Sequence, residues 1–415
     1  MKLLFVHPVF AGQFHRPICY LRANHPEYEI TFLSSSEHQS GKKRMLGETA
    51  LKIDGVMHQY FKFQTGLKHK GAASVQRFAD EIFQGKAVND SCNGLKSKGY
   101  QPDVIICHGR WGAGLFLKDV YPDVPLLLYS EFFSTAANAR LCNPSQDTLP
   151  HETALFYRLA NATNLISLDA ADHVITPTQY QKQSHPTEFQ SKISVIFDGV
   201  DAGVVRPGDV QQLKVGDHNL TLKDEIVTYV TRNFEPYRGF ETFIKVMEIV
   251  QRQRSRAHIL VVGGTGGKGY GFAEAGEDYL KHVLDNASLD QSRLHFMGPL
   301  SYDAYLEMLR FSQVHVYLTV PFVLSWSLIE AMSVGCAIVG SRTPPVEEVI
   351  FNLKTGLLAD FYSPDQVATQ VLTLLDDPVQ QRRLGDAARQ RIIDDFSIEV
   401  VGPRFVSLLN HLKGQ

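Results

Sequence analysis

Apolar residues in this chain gather in short runs separated by longer polar or mixed stretches. The first run, Leu3-Leu-Phe-Val6, is followed by a glycine-containing turn, Phe10-Ala-Gly12-Gln13. A helix is predicted around residues 16–23 and a second strand over 28–33. Further strands are predicted at 104–107, 125–129, 173–176 and 193–196. Short apolar runs alternating with helical stretches are the signature of a parallel α/β sheet. The polar stretch from Arg206 to Asp224 reads as a linker. The alternation then restarts, with strands predicted at 226–230, 258–262, 294–297, 314–318, 337–340 and 356–358. The tail from Phe396 to Leu412 carries apolar residues at helical spacing.

Two such halves in 415 residues predict two Rossmann-like α/β domains, 1–205 and 206–395, facing across a cleft. The last helix, 396–415, is expected to cross back onto the first domain. Ligands of such sheets bind outside the carboxyl ends of the strands, so residues at those ends carry the functional reading.

Composition narrows the class. With 44% hydrophobic and 20% charged residues the chain reads as globular, and a net charge of −3 argues against a nucleic-acid partner. The charge is uneven. Between Lys42 and Lys98, eleven basic residues face five acidic ones. That stretch is either a solvated surface or a face for an anionic acceptor or a membrane. The five cysteines are widely spaced without a CxxC pair, which fits a reducing compartment with no disulfide framework or zinc site. The first apolar run is too short for a signal peptide, and no run approaches the roughly 18 apolar residues of a membrane span. A cytoplasmic protein is expected, peripheral on the inner membrane face at most.

Four constellations bear chemistry. Arg232 and Arg238 follow the strand ending near Val230, six positions apart and just before a helix starting near Gly239. Arginine suits phosphate because its planar fork stays charged and donates two hydrogen bonds at once. A pair beside a helix N-terminus suits a diphosphate; surface salt bridges are the alternative. The run from Pro321 to Ser341 carries one charge, Glu330, at the start of a predicted helix. A lone charge in such a run needs a partner, either backbone groups or the hydroxyls of a sugar or ribose. The amides of Val323, Leu324, Ser325 and Trp326 at the mouth of that helix are further candidate phosphate donors. His108 ends a predicted strand and is followed by Gly109-Arg-Trp-Gly112. It can hydrogen-bond a sugar hydroxyl or be structural. Gly264, Gly266 and Gly269 satisfy G-x-G-x-x-G after a strand, but no tight helix start follows, so a loop is expected there. The chain lacks an Asp-x-Asp triplet, His-Glu-x-x-His and Gly-x-Ser-x-Gly, which speaks against a metal-dependent transferase and a serine hydrolase.

Together these residues resemble the retaining, nucleotide-sugar-dependent glycosyltransferases of the GT-B fold, family 4. Arg232 and Arg238 are similar to the family's Arg-x5-Lys/Arg pair on the donor diphosphate. Glu330-Ala-Met is similar to the Glu-Ala-Met whose Glu binds the donor ribose, and Val334-Gly-Cys-Ala-Ile-Val339 to the Gly-x-Pro-Val-Val strand after it. Ile196-Phe-Asp-Gly-Val-Asp201 resembles the family's Pro-Asn-Gly-Val-Asp. His108 falls where the family places a histidine near the donor sugar, and Gly12 lies in its glycine loop. One departure stands out. The first Glu of the family's Glu-x7-Glu is Phe322 here, and the following Gly-Phe-Gly is Val323-Leu-Ser325, similar to a variant subgroup.

The resemblance implies transfer of a sugar from a nucleotide-sugar, UDP- or GDP-linked, to an acceptor hydroxyl, with no metal or cofactor. It implies catalytic roles for His108, Arg232 and Arg238, and donor binding by Gly12, Leu300, Phe322, Val323, Leu324, Ser325, Trp326 and Glu330. Saccharide, lipid-linked and small-molecule acceptors stay open. Phe322 keeps open a weakly active or inactive nucleotide-sugar-binding subunit. A GT-B epimerase or phosphorylase is a further alternative. A nicotinamide oxidoreductase rests only on the weak glycine pattern.

Overall fold

The computed structural model describes residues 1–37, 52–62, 73–141, 151–266, 270 and 276–414. Lys42, Lys43, Arg44, Glu48, Lys68 and Lys70 of the basic stretch lie outside the described residues, as do Cys142 and Gly267, Lys268 and Gly269 of the glycine-rich segment.

The chain divides into two units, Met1–Gly199 with Ile398–Gln415, and Val200–Ser397. The first is built on seven strands: β1 (Lys2–Val6), β2 (Glu29–Ser35), β3 (Val56–Phe61), β4 (Val104–His108), β5 (Leu126–Tyr129), β6 (His173–Thr176) and β7 (Ile193–Val195). Their order is β3-β2-β1-β4-β5-β6-β7, with every neighbouring pair parallel. Successive side chains point to opposite faces. Leu3, Phe5 and Ile106 enter one core layer, and Leu4, Val6 and Ile105 the other. Covering both faces is why these strands are continuous apolar runs. The edge strand β3 is absent from the predicted set because Phe61 is its one buried residue.

Helices α1 (His15–Asn24), α2 (Ala73–Lys96) and α3 (His151–Ala170) belong to this unit. The C-terminal helix, Ile398–Lys413, sends Phe405, Val406 and Leu409 into the layer that holds Ile18 and Leu21 of α1.

The second unit starts six residues earlier than the boundary drawn from the sequence. Val205 is buried in it, and its carbonyl accepts from Ser333 Oγ and Arg389 Nη1. The stretch expected to be a linker contains a hairpin, β8 (Gln212–Val215) and β9 (His218–Thr221). Its mostly solvated residues left no apolar signal. Six parallel strands follow: β10 (Glu225–Asn233), β11 (Ala257–Gly264), β12 (Leu294–Phe296), β13 (Val314–Tyr317), β14 (Ala337–Ser341) and β15 (Leu357–Ala359). They run in the order β12-β11-β10-β13-β14-β15. Its helices include α4 (Phe240–Gln253), α5 (Tyr302–Phe311), α6 (Trp326–Ser333), α7 (Pro364–Asp376) and α8 (Pro378–Arg391).

Each sheet is Rossmann-like, and in each the order in which strands are added reverses at its first strand. β1 lies between β2 and β4, and β10 between β11 and β13. The carboxyl ends at such a reversal are where a ligand crevice forms. Among the described residues no helix is long and apolar enough to cross a membrane.

Candidate functional site

In the second unit, β10 continues into Phe234-Glu-Pro236 and a single 3-10 turn, Pro236–Arg238, closed by Gly239 at φ +67°. A Cβ on Gly239 would lie 2.8 Å from Leu318 and Phe361, so only glycine lets the turn run into α4 here. The turn buries Arg238. Its Nη1 donates to Thr319 Oγ1 at 2.8 Å, to the Val323 carbonyl at 2.9 Å and to Tyr317 Oη at 3.3 Å. Nη2 and Nε have no partner among the described residues. Burial works against this charge, but the Tyr317 and Tyr270 phenols and the Glu235 carboxylate outweigh it.

Arg232 is exposed at the end of β10. Its guanidinium carbon lies 4.7 Å from the centre of the Tyr270 ring, and that of Arg238 lies 5.4 Å from the same ring. Tyr270 therefore joins the two arginines through cation–π contacts. Phe322 packs into the same cluster, 4.9 Å from the Tyr270 ring and 5.7 Å from that of Tyr237, with the Arg238 guanidinium 5.9 Å from its own. An apolar ring thus lines Arg238 where the resemblance expects a carboxylate. Glu235 lies beneath, fully buried. Its Oε2 accepts from the Tyr270 amide at 2.5 Å, and its Oε1 has no partner among the described residues. Burial raises its pKa, opposed by that amide and by the two arginines.

The mouth of α6 is tied to this cluster by one hydroxyl. The Ser325 amide donates to Tyr317 Oη at 2.8 Å, and Ser325 Oγ caps α6 by accepting from Ser327 N. The Ser325 N–H is thus spent on the Tyr317 hydroxyl, whereas the resemblance expects it at the donor phosphates. The amides of Val323 and Leu324 have no partner among the described residues. Trp326 is exposed.

Glu330 does not wait for a ligand to find partners. Tyr302 Oη donates to its Oε1 at 2.9 Å and Tyr305 Oη to its Oε2 at 3.0 Å. Burial, then the Glu330 charge, hold the Tyr305 phenol well above its usual range, so it remains a donor. Leu300 is half-buried in the connection from β12 to α5, two residues before Tyr302.

In the first unit, Gly12 and His108 meet through a residue that the sequence did not single out, His7. A Cβ on Gly12 would lie 2.6 Å from the His7 imidazole, and the His7 and His108 rings are 4.9 Å apart. His7 also contacts Gln13 Oε1 through Nε2 at 2.9 Å, and Gln13 Nε2 donates to Glu131 at 3.4 Å. His108 is completely buried, with Trp111 and Tyr129 ring centres at 4.8 and 5.0 Å. Its Nδ1 accepts from the Arg110 amide at 3.2 Å, which puts the proton on Nε2, an atom without a partner among the described residues. Burial, then the neighbouring His7 and Arg110, drive its pKa well below the usual histidine value, so the ring is neutral.

The structure therefore gathers Arg232, Arg238, Phe322, Val323 and Ser325 around Tyr270 and Tyr317, and sets Glu330 against Tyr302 and Tyr305 of α5. Gly12 and His108 belong to the first unit. The sequence missed Tyr270, Tyr302, Tyr305, Tyr317, Glu235 and His7. His7 alone carried a signal, as the polar residue directly after a buried strand.

Comparison with known proteins assigns each unit. The model of the Glycosyl transferase family 4 group matches residues 26–205, and that of Glycosyl transferases group 1 matches residues 211–391. The D-inositol 3-phosphate glycosyltransferase of Corynebacterium glutamicum is 26% identical over 253 residues, which is 59% of this chain and 58% of that protein. The chain thus spans little more than half the length of that relative. Sucrose-phosphate synthase from Thermosynechococcus elongatus superimposes with a TM-score of 0.72 at 17% identity, covering 99% of both chains. Anabaena Alr3699/HepE in complex with UDP and glucose superimposes with a TM-score of 0.66 at 13% identity, covering 99% of this chain and 100% of that one. The two family matches follow one another along the chain, one in each α/β unit, and the chain belongs to the GT-B-fold glycosyltransferases of family 4.

Proposed function

We propose that the protein transfers a sugar from a nucleoside-diphosphate sugar to an acceptor hydroxyl, retaining the anomeric configuration. The observation that carries this is Arg238, a buried arginine held by three acceptors through one nitrogen, with Nη2 and Nε unpartnered among the described residues, at the carboxyl end of a central strand and beside Arg232. A fixed guanidinium of this kind suits an anion that gains charge as a bond breaks.

In the proposed reaction the bond from the anomeric carbon to the diphosphate oxygen breaks and a bond to the acceptor oxygen forms on the same face. The departing diphosphate takes the acceptor's proton. Arg232 and Arg238 stabilise the charge on that leaving group. They supply the positive charge that a divalent cation brings to other transferases, so no metal is invoked. Glu330 accepts from ribose hydroxyls, as the resemblance implies. For His108 the resemblance implies a place near the donor sugar, and its buried Nε2–H would have to be uncovered to reach a sugar hydroxyl. HepE, solved with UDP and glucose, makes UDP the first nucleotide to try, with GDP second. A saccharide or polyol acceptor fits the relatives' names. A cytoplasmic setting, and contact of the basic 42–98 stretch with an anionic membrane, belong to the same proposal.

Phe322 favours a second reading, a subunit that binds nucleotide-sugar without transferring it. Calorimetry with UDP, GDP and ADP, and nucleotide release from the corresponding sugars, decide between them. Binding with acceptor-dependent release supports transfer. Binding without release at any acceptor supports the subunit. No nucleotide binding at all refutes both.

A further inference from the structure

Helix α3 carries its polarity inside out. Its buried positions are mostly polar: Thr153, Asn161, Thr163, Asn164 and Ser167. The unit itself supplies partners for them. Thr163 Oγ1 donates to Glu81, Asn161 Nδ2 to the Ser134 carbonyl, and Ser167 Oγ to the Thr163 carbonyl at 2.9 Å. The solvent side is apolar. Leu155 is 39% exposed and Ile166 51%, with half-buried Leu159 and Ala162 between them. These four stand four, three and four residues apart, within about 60° of arc at 3.6 residues per turn. That is the spacing of a coiled-coil seam, and an apolar stripe of this kind turned to water marks an interaction surface.

We propose that α3 is a dimerisation helix, whose stripe packs antiparallel against the same stripe of a second copy of this chain. The stripe is self-complementary, as a twofold interface requires. About an axis near residue 160, Leu155 meets Ile166 of the second copy, and Leu159 meets its Ala162, a large side chain against a small one. His151 and Asp169 are both exposed and stand five turns apart, so they lie along one flank of the stripe. The same axis sets His151 of each copy beside Asp169 of the other. A stable interface takes about 800 Å² from each partner, more than one stripe supplies. Helix α2, whose Arg77 guanidinium lies 5.0 Å from the Phe156 ring of α3, adds the exposed Val75 and Phe83. Glu152 and Asp169, three residues beyond either end of the stripe, disfavour an anionic membrane as its occupant. The proposal does not depend on the donor-site reading, since α3 lies over a face of the first sheet, with Leu168 in the layer of Leu4 and Ile105.

Sedimentation of the full chain over a range of concentrations tests this. The wild type is expected to form a dimer. Leu155→Glu and Ile166→Glu are each expected to weaken it about thirtyfold or more, with little change in melting temperature because both side chains face solvent. Val379→Glu, at a residue 79% exposed on α8, is the control and leaves the dimer intact. A charge swap reads the pairing without touching the stripe. Asp169→Lys loosens the dimer, and adding His151→Glu to the same chain restores it. A wild type that stays monomeric at every concentration overturns the proposal, as does a dimer that survives both glutamates. A swap that fails to restore overturns the antiparallel pairing. Monomer that co-sediments with phosphatidylglycerol vesicles, and loses them on Ile166→Glu, overturns it in favour of a lipid surface.

Discussion

Arg238 donates through Nη1 to the Val323 carbonyl at 2.9 Å, so the arginine placed by the turn after β10 also holds the loop that leads into α6. In the proposed site one side chain serves both the ligand and the frame. The same nitrogen satisfies Thr319 and Tyr317, and the Tyr317 hydroxyl in turn receives the Ser325 amide.

That double role separates the two arginines experimentally. Arg232→Ala, at an exposed position, is expected to lower kcat by about 10²–10³ with an unchanged melting temperature. Arg238→Ala is expected to lower kcat at least as much and to destabilise the protein by about 1–3 kcal/mol, because buried acceptors lose their donor. Steady-state kinetics and thermal denaturation of both variants check this. Equal melting behaviour would show that the frame does not depend on Arg238.

Phe322→Glu brings a carboxylate beside the Arg238 guanidinium, which now lies 5.9 Å from the phenyl ring. The new charge competes with a diphosphate for the same cation and removes the packing against Tyr237 and Tyr270. Weaker UDP binding by several-fold is expected, most marked at low ionic strength. Titrations at two salt concentrations check it.

Glu330→Gln replaces an acceptor of two phenolic donors by an amide that must point its NH2 at one of them. The mismatch is expected to cost about 1–3 kcal/mol in stability and to weaken nucleotide binding. Urea denaturation and calorimetry read the two effects separately. Undiminished nucleotide affinity would remove Glu330 from the ribose site.

Gly12→Ala is expected to be destabilising beyond what an exposed loop change produces. Its φ is +56°, and the added methyl would sit 2.6 Å from the His7 ring. A left-handed conformation and a displaced imidazole together are expected to cost about 1–3 kcal/mol. Chemical denaturation measures it, and a cost near zero would mean that the loop simply rearranges.

Acid should destabilise the fold before it reaches the carboxylates. Burial lowers His315 to about 3 and His58 to about 4, and burial with the nearby His258 and His218 lowers His295 to about 4, from an ordinary 6.5. Between the folded and ordinary values the unfolded chain binds protons that the folded chain refuses. These neutral histidines therefore contribute fully above about pH 6.5, and stability falls as pH drops towards 4. His315, completely buried, accounts for about 1.4 kcal/mol per pH unit over that window. His58 and His295 retain solvent contact and contribute less. Melting temperatures from pH 7 to 4 show the decline, and His315→Asn should flatten it.

Much of the frame was legible because its strands are buried on both faces. Leu3-Leu-Phe-Val6 and Ile226-Val-Thr-Tyr-Val230 stand out as unbroken runs for that reason. β3 and the β8–β9 hairpin did not, since strands that face water carry polar residues a linker also carries. Motif spacing singled out Arg232, Arg238 and Glu330 and left their surroundings blank.

The sequence alone determined the class of fold, two successive parallel α/β units, and the positions where strands end in charged or glycine-containing segments. Local pattern suffices for this, because burial periodicity and turn residues act over a few neighbours. Only the tertiary structure decided what each of those residues touches. Tyr302 reaches Glu330 from 28 residues away, and Tyr317 meets Arg238 across 79. Such partners are chosen by the order in which strands assemble in the sheet. No spacing along the chain encodes that β13 lies against β10, and it is this pairing that places the Tyr317 hydroxyl between the arginine and the mouth of α6.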